Sequence, residues 1–475
     1  MKIVYLSSEA APFVKSGGLG DVAQALPTAL SKIKDNQVTL ILPYYKSVKD
    51  NPAIKTEFIT SYSVPLSWRN QHVGIFKLKS QKKKFQVYFI DNEYYFYRDG
   101  LYGYPDDGER FAYFSHAALS AAVNLDLAPD IIHCNDWQTA LVPILLHSFY
   151  QDTLGGAKTV FTIHNIEYQG KADPYFLCDT LGLDECYTDT LTYDGCVNFM
   201  KGAILCSDSV TTVSKTYAKE IEYPYFSHGL SPIIKEHSFK MSGIVNGINT
   251  EIFNPETDKS LVQNYDITGY KEGKLENKLA LQKELGLKVS PDIPMIGMVT
   301  RLVEHKGMEL LQNIIDELVK WNIQLVIVGT GDKKYEDRLS ACSGLNGNRF
   351  SMNLRFDPAF ASRIYAASDF YLMPSKSEPC GLSQIIAMRY GTVPIVNCTG
   401  GLKDTVVPYN MQTGEGTGFN FQSFTEGDLL DCIRRGLTCY FETPDHFDRI
   451  IKNCMSKDWS WNAPAKEYMK LSGSL

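Results

Sequence analysis

A lysine and two glycines stand directly before a helix near the start of the chain. The apolar run 3–6 predicts a buried strand, and apolar residues at helical spacing predict a helix over 22–30. A ligand can approach the backbone closely at Gly17 and Gly18, since neither has a Cβ. The amides and dipole of the helix start favour an anion, and Lys15 adds a positive charge. The turn predicts a phosphate or diphosphate site; a tight strand–helix connection with a solvated lysine is the alternative.

The pattern Gly-Gly-Leu-x-Asp occurs a second time, at 400–404, directly after Thr399. It again follows an apolar strand, predicted over 393–396. The two turns are about 380 positions apart in the sequence. This repetition favours two related α/β halves that face one ligand.

Two cations and one carboxylate follow strands of the second half. Arg301 and Lys306 flank a turn after the predicted strand 295–300. Fixed cations there would neutralise a leaving diphosphate as its charge develops, whereas an exposed surface pair would contribute only about 0–1 kcal/mol. Glu378 stands shortly before the predicted helix 383–390. Its carboxylate either caps that helix or binds sugar hydroxyls.

Two further strands of the first half end in polar side chains. Asn135 and Asp136 follow one strand, and His164 and Asn165 follow the next. Ligands of parallel α/β sheets lie at the carboxyl ends of strands, although Asn and Asp also cap helices. His133 lies inside its strand and is interpreted as a core histidine.

The elements that must position these residues alternate between strand and helix along 475 residues, which is enough for two or three domains. We expect one domain over 1–243, a second over 244–458, and a final helix and tail over 459–475 that packs back on the first. Residues 56–90 predict a β-rich excursion at one edge of the first sheet. The basic run 82–84 within it is interpreted as a solvated hairpin turn.

Three other segments carry weaker signals. The aromatic cluster 94–104 lies on a loop rich in Gly, Asp and Pro, and it predicts either core packing or contact with sugar rings. The sequence over 168–200 favours loop and short helix. Residues 258–276 are polar and poorly periodic, so the next helix is expected only over 277–285.

Composition narrows the class of protein. The chain is 44% hydrophobic and 21% charged with a net charge of −7, which argues against a nucleic-acid binder. Eleven scattered cysteines without a C-x-x-C pair indicate reduced thiols in the cytoplasm, and no apolar run is long enough to cross a membrane. We expect no metal, because no D-x-D motif or His cluster has suitable spacing, and no nucleotide cofactor, because the turn at 329–331 lacks a third glycine.

Taken together and in order, the motifs resemble the bacterial glycogen synthases and plant starch synthases over nearly the whole chain. At 135 this chain has Asn, as the plant enzymes do, where bacterial relatives often have His. The motifs are Lys-x-Gly-Gly-Leu-x-Asp at 15–21, Asn-Asp-Trp at 135–137, His-Asn at 164–165, Asn-Gly at 246–247, Arg-Leu-x-x-x-Lys-Gly at 301–307, Glu-Pro-Cys-Gly-Leu at 378–382 and Thr-Gly-Gly-Leu at 399–402.

The resemblance implies a GT-B fold, in which two Rossmann-like, doubly wound domains face each other across a deep cleft. It implies an acceptor-side first domain and a nucleotide-sugar-binding second domain. The implied reaction transfers glucose from ADP-glucose to the non-reducing end of an α-1,4-glucan such as glycogen or starch, with retained configuration, and needs no metal or cofactor.

The resemblance also implies roles for individual residues. The arginine and lysine of the second half would stabilise departing ADP, the glutamate would hold glucose hydroxyls, and Asp106 and His164 would line the sugar side. The catalytic set it implies is Lys15, Asp106, His164, Arg301, Lys306 and Glu378. The donor-binding set it implies is Lys15, Gly17, Gly18, Asn246, Arg301, Lys306, Gly381, Leu382 and Thr399.

Four other functions compete with this interpretation. A glycosyltransferase of the same fold could use UDP-glucose or a small acceptor. A phosphorylase would need a lysine context suited to pyridoxal phosphate, and an NAD oxidoreductase would need a third glycine and an acidic ribose-binding residue. A non-catalytic glucan-binding protein would keep the aromatic residues but would not need Lys15, Arg301 and Lys306 together.

Overall fold

The computed structural model describes residues 1–79 and 84–475. Lys82 and Lys83 of the predicted basic turn lie outside the described residues. The chain forms two compact units, which are Met1–Asn246 together with Trp461–Leu475, and Gly247–Ser460. The chain thus passes between the units after Asn246 and after Ser460, where the sequence analysis placed these crossings after 243 and 458.

The strands of the first unit alternate with helices along most of its length. They are β1 (Lys2–Leu6), β2 (Gln37–Pro43), β3 (Thr56–Leu66), β4 (Arg69–Leu78), β5 (Phe85–Asp91), β6 (Ile131–Asn135), β7 (Lys158–Ile163), β8 (Lys171–Ala172), β9 (Thr192–Tyr193), β10 (Cys196–Asn198), β11 (Ser209–Thr212) and β12 (Met241–Gly243).

Within the described residues, nine of these strands form one sheet in the order β12-β11-β7-β6-β1-β2-β5-β4-β3. The strands from β12 to β5 are parallel, and the β3–β4 hairpin adds antiparallel pairs at one edge. The predicted β-rich edge is therefore confirmed. Because β7, β6 and β1 are neighbours, the loops that follow them leave the sheet side by side.

Helices cover this sheet, and short ones line its loops. They are α1 (Gly18–Lys32), α2 (Lys46–Lys49), α3 (Glu93–Phe96), α4 (Asp107–Asn124), α5 (Val142–Phe149), α6 (Gln151–Leu154), α7 (Phe176–Asp179), α8 (Thr188–Leu191), α9 (Phe199–Cys206), α10 (Lys215–Glu220) and α11 (Ser231–Glu236). The expectation of only loop and short helix over 168–200 was incomplete, since β8, β10 and β9 form a small antiparallel sheet there. These strands are two or three residues long, too short for a period-2 pattern to register.

The second unit contains a parallel sheet of six described strands in the order β15-β14-β13-β16-β17-β18. The strands are β13 (Met295–Val299), β14 (Gln324–Val328), β15 (Phe350–Asn353), β16 (Phe370–Met373), β17 (Val393–Asn397) and β18 (Phe419–Phe421). The helices are α12 (Tyr270–Glu284), α13 (Met308–Leu318), α14 (Lys333–Leu345), α15 (Pro358–Ala367), α16 (Ser383–Arg389), α17 (Gly400–Thr405), α18 (Glu426–Glu442), α19 (Pro444–Ser456) and, returning to the first unit, α20 (Asn462–Ser472).

Helix α12 begins seven residues before the position predicted from the sequence. Its buried stripe is polar: the Lys274 amine donates to the carbonyl oxygens of Ala366 and Tyr390, and Lys278 forms an ion pair with Asp369. An apolar period cannot reveal a helix whose buried face is hydrogen-bonded rather than hydrophobic.

Each unit has its own hydrophobic core. The first core is built on the large sheet and includes Trp461 and Tyr468 from the last helix. The centroid of the Tyr468 ring lies 5.3 Å from that of the His133 ring. The second core is built on the smaller sheet and includes Trp459, and a separate small cluster contains Val326 and Val328 of the same sheet. A search of the described residues finds no helix long and apolar enough to cross a membrane.

Candidate active site

The turn that carries Lys15 projects from the carboxyl end of β1 into α1. Gly17 caps α1 without a side-chain hydrogen bond, and a Cβ built at Gly17 meets no atom within 4 Å. The Lys15 amine forms an ion pair with Asp21 at 2.7 Å, and both side chains are partly exposed. The backbone of this turn is therefore accessible, as a ligand-binding loop requires.

The buried carboxylate of Glu9 is hydrogen-bonded to this turn. It accepts hydrogen bonds from the amide and the hydroxyl of Ser16. Burial raises the pKa of the Glu9 carboxyl. The sequence analysis missed Glu9, although an acidic residue in the loop after an apolar strand, seven positions before Ser16, was a usable signal.

The carboxyl ends of β6 and β7 are joined through side chains, as their shared polar endings predicted. The Nε2 of His164 lies 2.9 Å from the Asn135 side-chain oxygen, which also accepts from the Tyr5 hydroxyl, while the Asn135 amide donates to the carbonyl oxygen of Leu6. Since an amide oxygen only accepts, Nε2 of His164 carries the proton. Asn135 thus orients His164 with its side chain.

His164 is a neutral group. Burial lowers its pKa to about 3, so the ring stays uncharged near neutral pH. Its Nδ1 has no hydrogen-bond partner among the described residues. A neutral imidazole with an available acceptor nitrogen suits binding of a hydroxyl better than proton donation. The neighbouring His133 is buried, as expected, against Thr162.

Asp136 lies directly after β6 with a positive φ of 54°. Its carboxylate accepts from the backbone amides of His164 and Asn165, at 2.7 and 3.3 Å. Burial raises its pKa to about 7 despite these bonds. A non-glycine residue in this strained backbone region is over-determined by its surroundings. Asp136 therefore fixes the loop that presents His164.

Asp106 lies at the start of α4 in a separate side-chain network. Its carboxylate forms two 2.6 Å hydrogen bonds with the Arg98 guanidinium, which holds the pKa of Asp106 below its ordinary value. The segment joins the β1 loop through Tyr102, whose hydroxyl lies 2.7 Å from the Ser8 hydroxyl. Asp106 is therefore an ionised acceptor held in a fixed orientation.

The aromatic cluster divides between the two predicted uses. Tyr95 and Phe96 are fully buried, whereas Tyr94 and Tyr97 are exposed. Tyr104 packs between the guanidinium groups of Arg98 and Arg110. Core packing accounts for the buried rings, and only the exposed rings stay available for sugar contact.

In the second unit, Lys306 and Glu378 come together from the carboxyl ends of the neighbouring strands β13 and β16. The Lys306 amine lies 2.6 Å from the Glu378 carboxylate, which also accepts from the Ser375 hydroxyl at 3.2 Å. Glu378 is only 5% exposed. Arg301 is exposed and makes no side-chain hydrogen bond or ion pair within the described residues. The arrangement offers one uncommitted cation beside a neutralised pair.

The remaining residues predicted for the second unit surround this pair. Gly381 has a φ of 73°, which glycine adopts without strain, and a Cβ there would clash with the Gln384 side chain. Leu382 caps α16, and the buried Thr399 caps α17. The loops of β13, β16 and β17 are neighbours in the sheet, so these positions lie along one edge.

Asn246, another residue predicted to bind the donor, is the last residue of the first unit before the chain passes into the second. It is buried, and its side-chain oxygen has no hydrogen-bond partner among the described residues. An unpaired buried acceptor costs free energy and calls for a donor group.

One aromatic residue of the second unit was not singled out from the sequence. Phe356 follows β15 by three residues and is 78% exposed. The carboxyl end of a parallel strand is where such a sheet binds ligands, so an exposed ring there was a usable signal. Across residues 1–79 and 84–475, no group of three or more His, Cys, Asp or Glu side chains could hold a metal ion.

Solved structures similar to this chain define its class. The catalytic domain of starch synthase IV from Arabidopsis thaliana, bound to ADP and acarbose, matches with a TM-score of 0.92 and 35% identity over 99% of this chain and 98% of that one. Sucrose-phosphate synthase from Thermosynechococcus elongatus matches with a TM-score of 0.62 and 18% identity over 100% and 98%, and supports the fold alone. This chain is a glycosyltransferase with the GT-B fold.

Sequence comparisons define the family. The family model for the starch synthase catalytic domain matches residues 2–236, and the model for glycosyl transferases group 1 matches 284–453. Glycogen synthase from Clostridium botulinum (strain Alaska E43 / Type E3) is 47% identical over 100% of this chain and 99% of its own length. Glycogen synthase from Clostridium acetobutylicum is 46% identical over the full length of both. The chain belongs to the bacterial glycogen synthase family.

Proposed function

We propose that this enzyme transfers glucose from ADP-glucose to the non-reducing end of an α-1,4-glucan, with retained configuration, and releases ADP. The observation that carries this proposal is the group of basic side chains at strand ends, with Arg301 uncommitted and Lys306 paired with a buried carboxylate. The ADP-bound plant relative gives the nucleotide its identity in the proposal.

The donor diphosphate is the proposed ligand of the cations. Lys15 would contact it together with the exposed backbone of Gly17 and Gly18, exchanging its partner Asp21 for phosphate oxygens. Arg301 and Lys306 would stabilise ADP as it leaves, since fixed charges act where negative charge develops. We assign Asn246, with its unpaired oxygen, and Thr399 to the donor as well.

The sugar is the proposed ligand of the carboxylates and His164. Glu378, whose position Lys306 and Ser375 fix, would accept hydrogen bonds from glucose hydroxyls, next to Gly381 and Leu382. His164 would bind a hydroxyl through Nδ1. Asp106 would accept from sugar hydroxyls as an ionised carboxylate.

Retention is proposed to proceed on the front face of the sugar, with the leaving phosphate helping to deprotonate the acceptor. Glu378 is poorly suited to be a covalent nucleophile, since its carboxylate already accepts from Lys306 and Ser375 and is almost fully buried. A glucosyl adduct trapped on Glu378 would contradict this mechanism.

Phe356 is proposed to stack on the nucleobase. Its ring is exposed at the carboxyl edge of the second sheet. A flat apolar ring can stack on the face of a base whatever hydrogen-bonding groups that base carries. This assignment extends the donor site beyond the residues that the sequence singled out.

We also propose a cytoplasmic location. All eleven cysteines are free thiols, and six of them are buried. Burial raises the pKa of the Cys134 and Cys454 thiols, so these residues behave as small hydrophobic groups. A reducing compartment preserves them.

The direct test is incubation with ADP-[14C]glucose or UDP-[14C]glucose plus glycogen, with polymer-bound label counted. We expect label from the ADP sugar in preference to the UDP sugar. Lys15→Gln should weaken donor use while leaving glycogen binding nearly intact. Equal loss of donor use and glycogen binding, or label only from UDP-glucose, would contradict the proposal.

A further inference from the structure

The turn of the β3–β4 hairpin presents an exposed tryptophan that is fixed in place. Trp68 is 75% exposed, yet its indole N–H donates to the Asp179 carboxylate at 3.1 Å. Arg69 donates to the carbonyl and the carboxylate of Asp179 and lies over the Trp68 ring at 4.5 Å. The Ser67 hydroxyl donates to the carbonyl of Cys178 at 2.7 Å. The only polar atom of the indole is hydrogen-bonded to Asp179, so the surface that the ring offers to a ligand is apolar carbon.

A second exposed ring lies one helical turn away. Tyr175 is 78% exposed at the start of α7, and its carbonyl accepts from the amide of Asp179, the residue that holds Trp68. One turn of helix is about 5.4 Å long. Trp68 and Tyr175 are thus both linked to Asp179, one through its side chain and one through its backbone, and we call this pair of exposed rings the aromatic platform.

The aromatic platform lies toward the same edge of the large sheet as the candidate site of the first unit. Strand β3 runs parallel to β1 and is separated from it by three strands, a spacing of about 19 Å. Gly74 of β4 pairs with Asp91, the last residue of β5, and the hairpin continues five residues beyond to Arg69, about 17 Å. The segment that contributes Tyr175 follows the same β7 whose end carries His164.

The chemistry of the platform selects its partner. Within 60–79 and 171–190, Trp68 and Tyr175 are the only large apolar side chains that are exposed. A protein interface of this kind would normally add aliphatic or methionine side chains around its aromatic anchors. Flat rings beside paired carboxylate and guanidinium groups, without aliphatic neighbours, instead suit the apolar faces and hydroxyls of sugar rings.

We propose that the aromatic platform binds a distal stretch of the glucan acceptor, several sugar units away from the chain end that receives glucose. This inference rests on the proposed function for the class of acceptor. It makes Trp68 and Tyr175 determinants of acceptor length: a long chain reaches them, and a short oligosaccharide at the site of transfer does not.

The test compares acceptors of different length. Trp68→Ala and Tyr175→Ala should each raise the KM for glycogen by about three- to tenfold, the range expected for losing one aromatic contact. The KM for maltotriose and the kcat should stay at the level of the unaltered enzyme. Phe239→Ala, which removes an exposed ring elsewhere in the first unit, is the matched control and should change neither KM. Trp68→Phe keeps a ring and should retain part of the effect.

A second measurement does not depend on transfer. Retardation in native gels that contain glycogen should weaken in the Trp68→Ala and Tyr175→Ala variants at unchanged thermal stability. If the enzyme fails to transfer glucose from any donor, this retardation still tests the platform. Unchanged retardation, an equal rise of KM for short and long acceptors, or a dimer in light scattering that Trp68→Ala dissociates would each overturn the proposal.

Discussion

The two Gly-Gly-Leu-x-Asp turns have the same spacing and opposite environments. In the first, Gly17 caps the 15-residue α1 and its Cβ position faces open space. In the second, both glycines are buried in the six-residue α17; the amide of Gly401, the counterpart of Gly18, donates to the carbonyl of Glu378, and a Cβ there would collide with the Cys380 backbone. The first pair of glycines leaves a backbone accessible to a ligand. The second lets two loops approach so that Glu378 is held in place.

The lysines near these turns differ in the same way. Lys15 and Asp21 are 33% and 28% exposed in their side chains, whereas Lys306 and Glu378 are 16% and 7% exposed, at nearly equal ion-pair distances of 2.7 and 2.6 Å. The exposed pair can exchange partners at low cost, since such pairs contribute little to stability. The buried pair is part of the structure that it serves.

The largest expected effect comes from breaking the buried pair. Lys306→Met should lower the free energy of unfolding by about 3–5 kcal/mol, because it leaves Glu378 buried without a counter-charge. Lys15→Met should change it by less than about 1 kcal/mol. Urea denaturation measures both. Similar losses in the two variants would contradict the difference between the turns.

A double variant separates the effect of Lys306 on stability from its effect on activity. In Lys306→Met with Glu378→Gln the unpaired charge is removed, so part of the stability should return. Transfer of glucose should stay about 100-fold or more below that of the unaltered enzyme, because the cation at the leaving group is still missing. Recovery of activity along with stability would reduce Lys306 to a structural role.

The glycines give the next largest effect. Gly401→Ala should cost about 1–3 kcal/mol of stability, since backbone atoms and not a flexible side chain occupy the Cβ position. Gly17→Ala should cost less than about 1 kcal/mol and should instead raise the KM for the donor, because the methyl group projects where a ligand would approach. Thermal unfolding and donor kinetics distinguish the outcomes. A stable Gly401→Ala enzyme would show that the second turn is not packed as described.

Most strands, and the contact between residues at the ends of two of them, could be predicted because local sequence patterns indicate them. Apolar runs gave β1, β13 and β17, and polar endings correctly linked Asn135 with His164. Sequence spacing could not distinguish the two glycine turns. Burial depends on which loop packs against the turn, here the residues around Cys380, and no local pattern encodes that contact.

Two of the features that the sequence did not reveal, the start of α12 and the role of Glu9, share one cause. The start of α12 was missed because Lys274 and Lys278 make its buried face polar, and Glu9 was missed because its partner, Ser16, is chosen by the loop's path. In each case a buried polar group is satisfied by a bond that the fold creates. Apolar periodicity carries no information about such bonds.

Two buried groups, Asp136 in the first unit and Lys274 in the second, should contribute to the pH dependence of stability with opposite signs. Burial raises the pKa of Asp136 to about 7, so the folded first unit keeps a proton that the unfolded chain releases above about pH 4. Buried, neutral His164 contributes stability that rises with pH up to about 6.5, because burial lowers its pKa to about 3. The Asp136 contribution to the free energy of unfolding should instead fall as pH rises from about 4 to 7, by up to about 1.4 kcal/mol per pH unit. Buried Glu9, whose pKa is also raised, adds to the same trend.

For Lys274 in the second unit the sign is opposite to that for Asp136. Burial lowers the pKa of Lys274 to about 7, so between about pH 7 and 10 the unfolded chain holds the extra proton and stability should rise with pH. Asp136→Asn should alter only the acidic limb, between about pH 4 and 7, by removing the Asp136 contribution, and Lys274→Met should alter only the alkaline limb, between about pH 7 and 10. Denaturation midpoints measured across pH check this; a change in the wrong limb would contradict the assignment.

The smallest expected effect concerns Phe356, which the second unit could offer to the donor in place of its packed glycine turn. Phe356→Ala should raise the KM for the donor and the inhibition constant of ADP by about three- to tenfold at unchanged kcat, because stacking on a base holds the donor without touching the bond that breaks. Phe441→Ala, at another exposed ring of the same unit, is the control. If Phe356→Ala leaves ADP inhibition unchanged, donor binding in this unit depends on Arg301, Lys306 and the buried turn alone. The two units would then differ in donor binding only through the accessible turn of the first and the packed turn of the second.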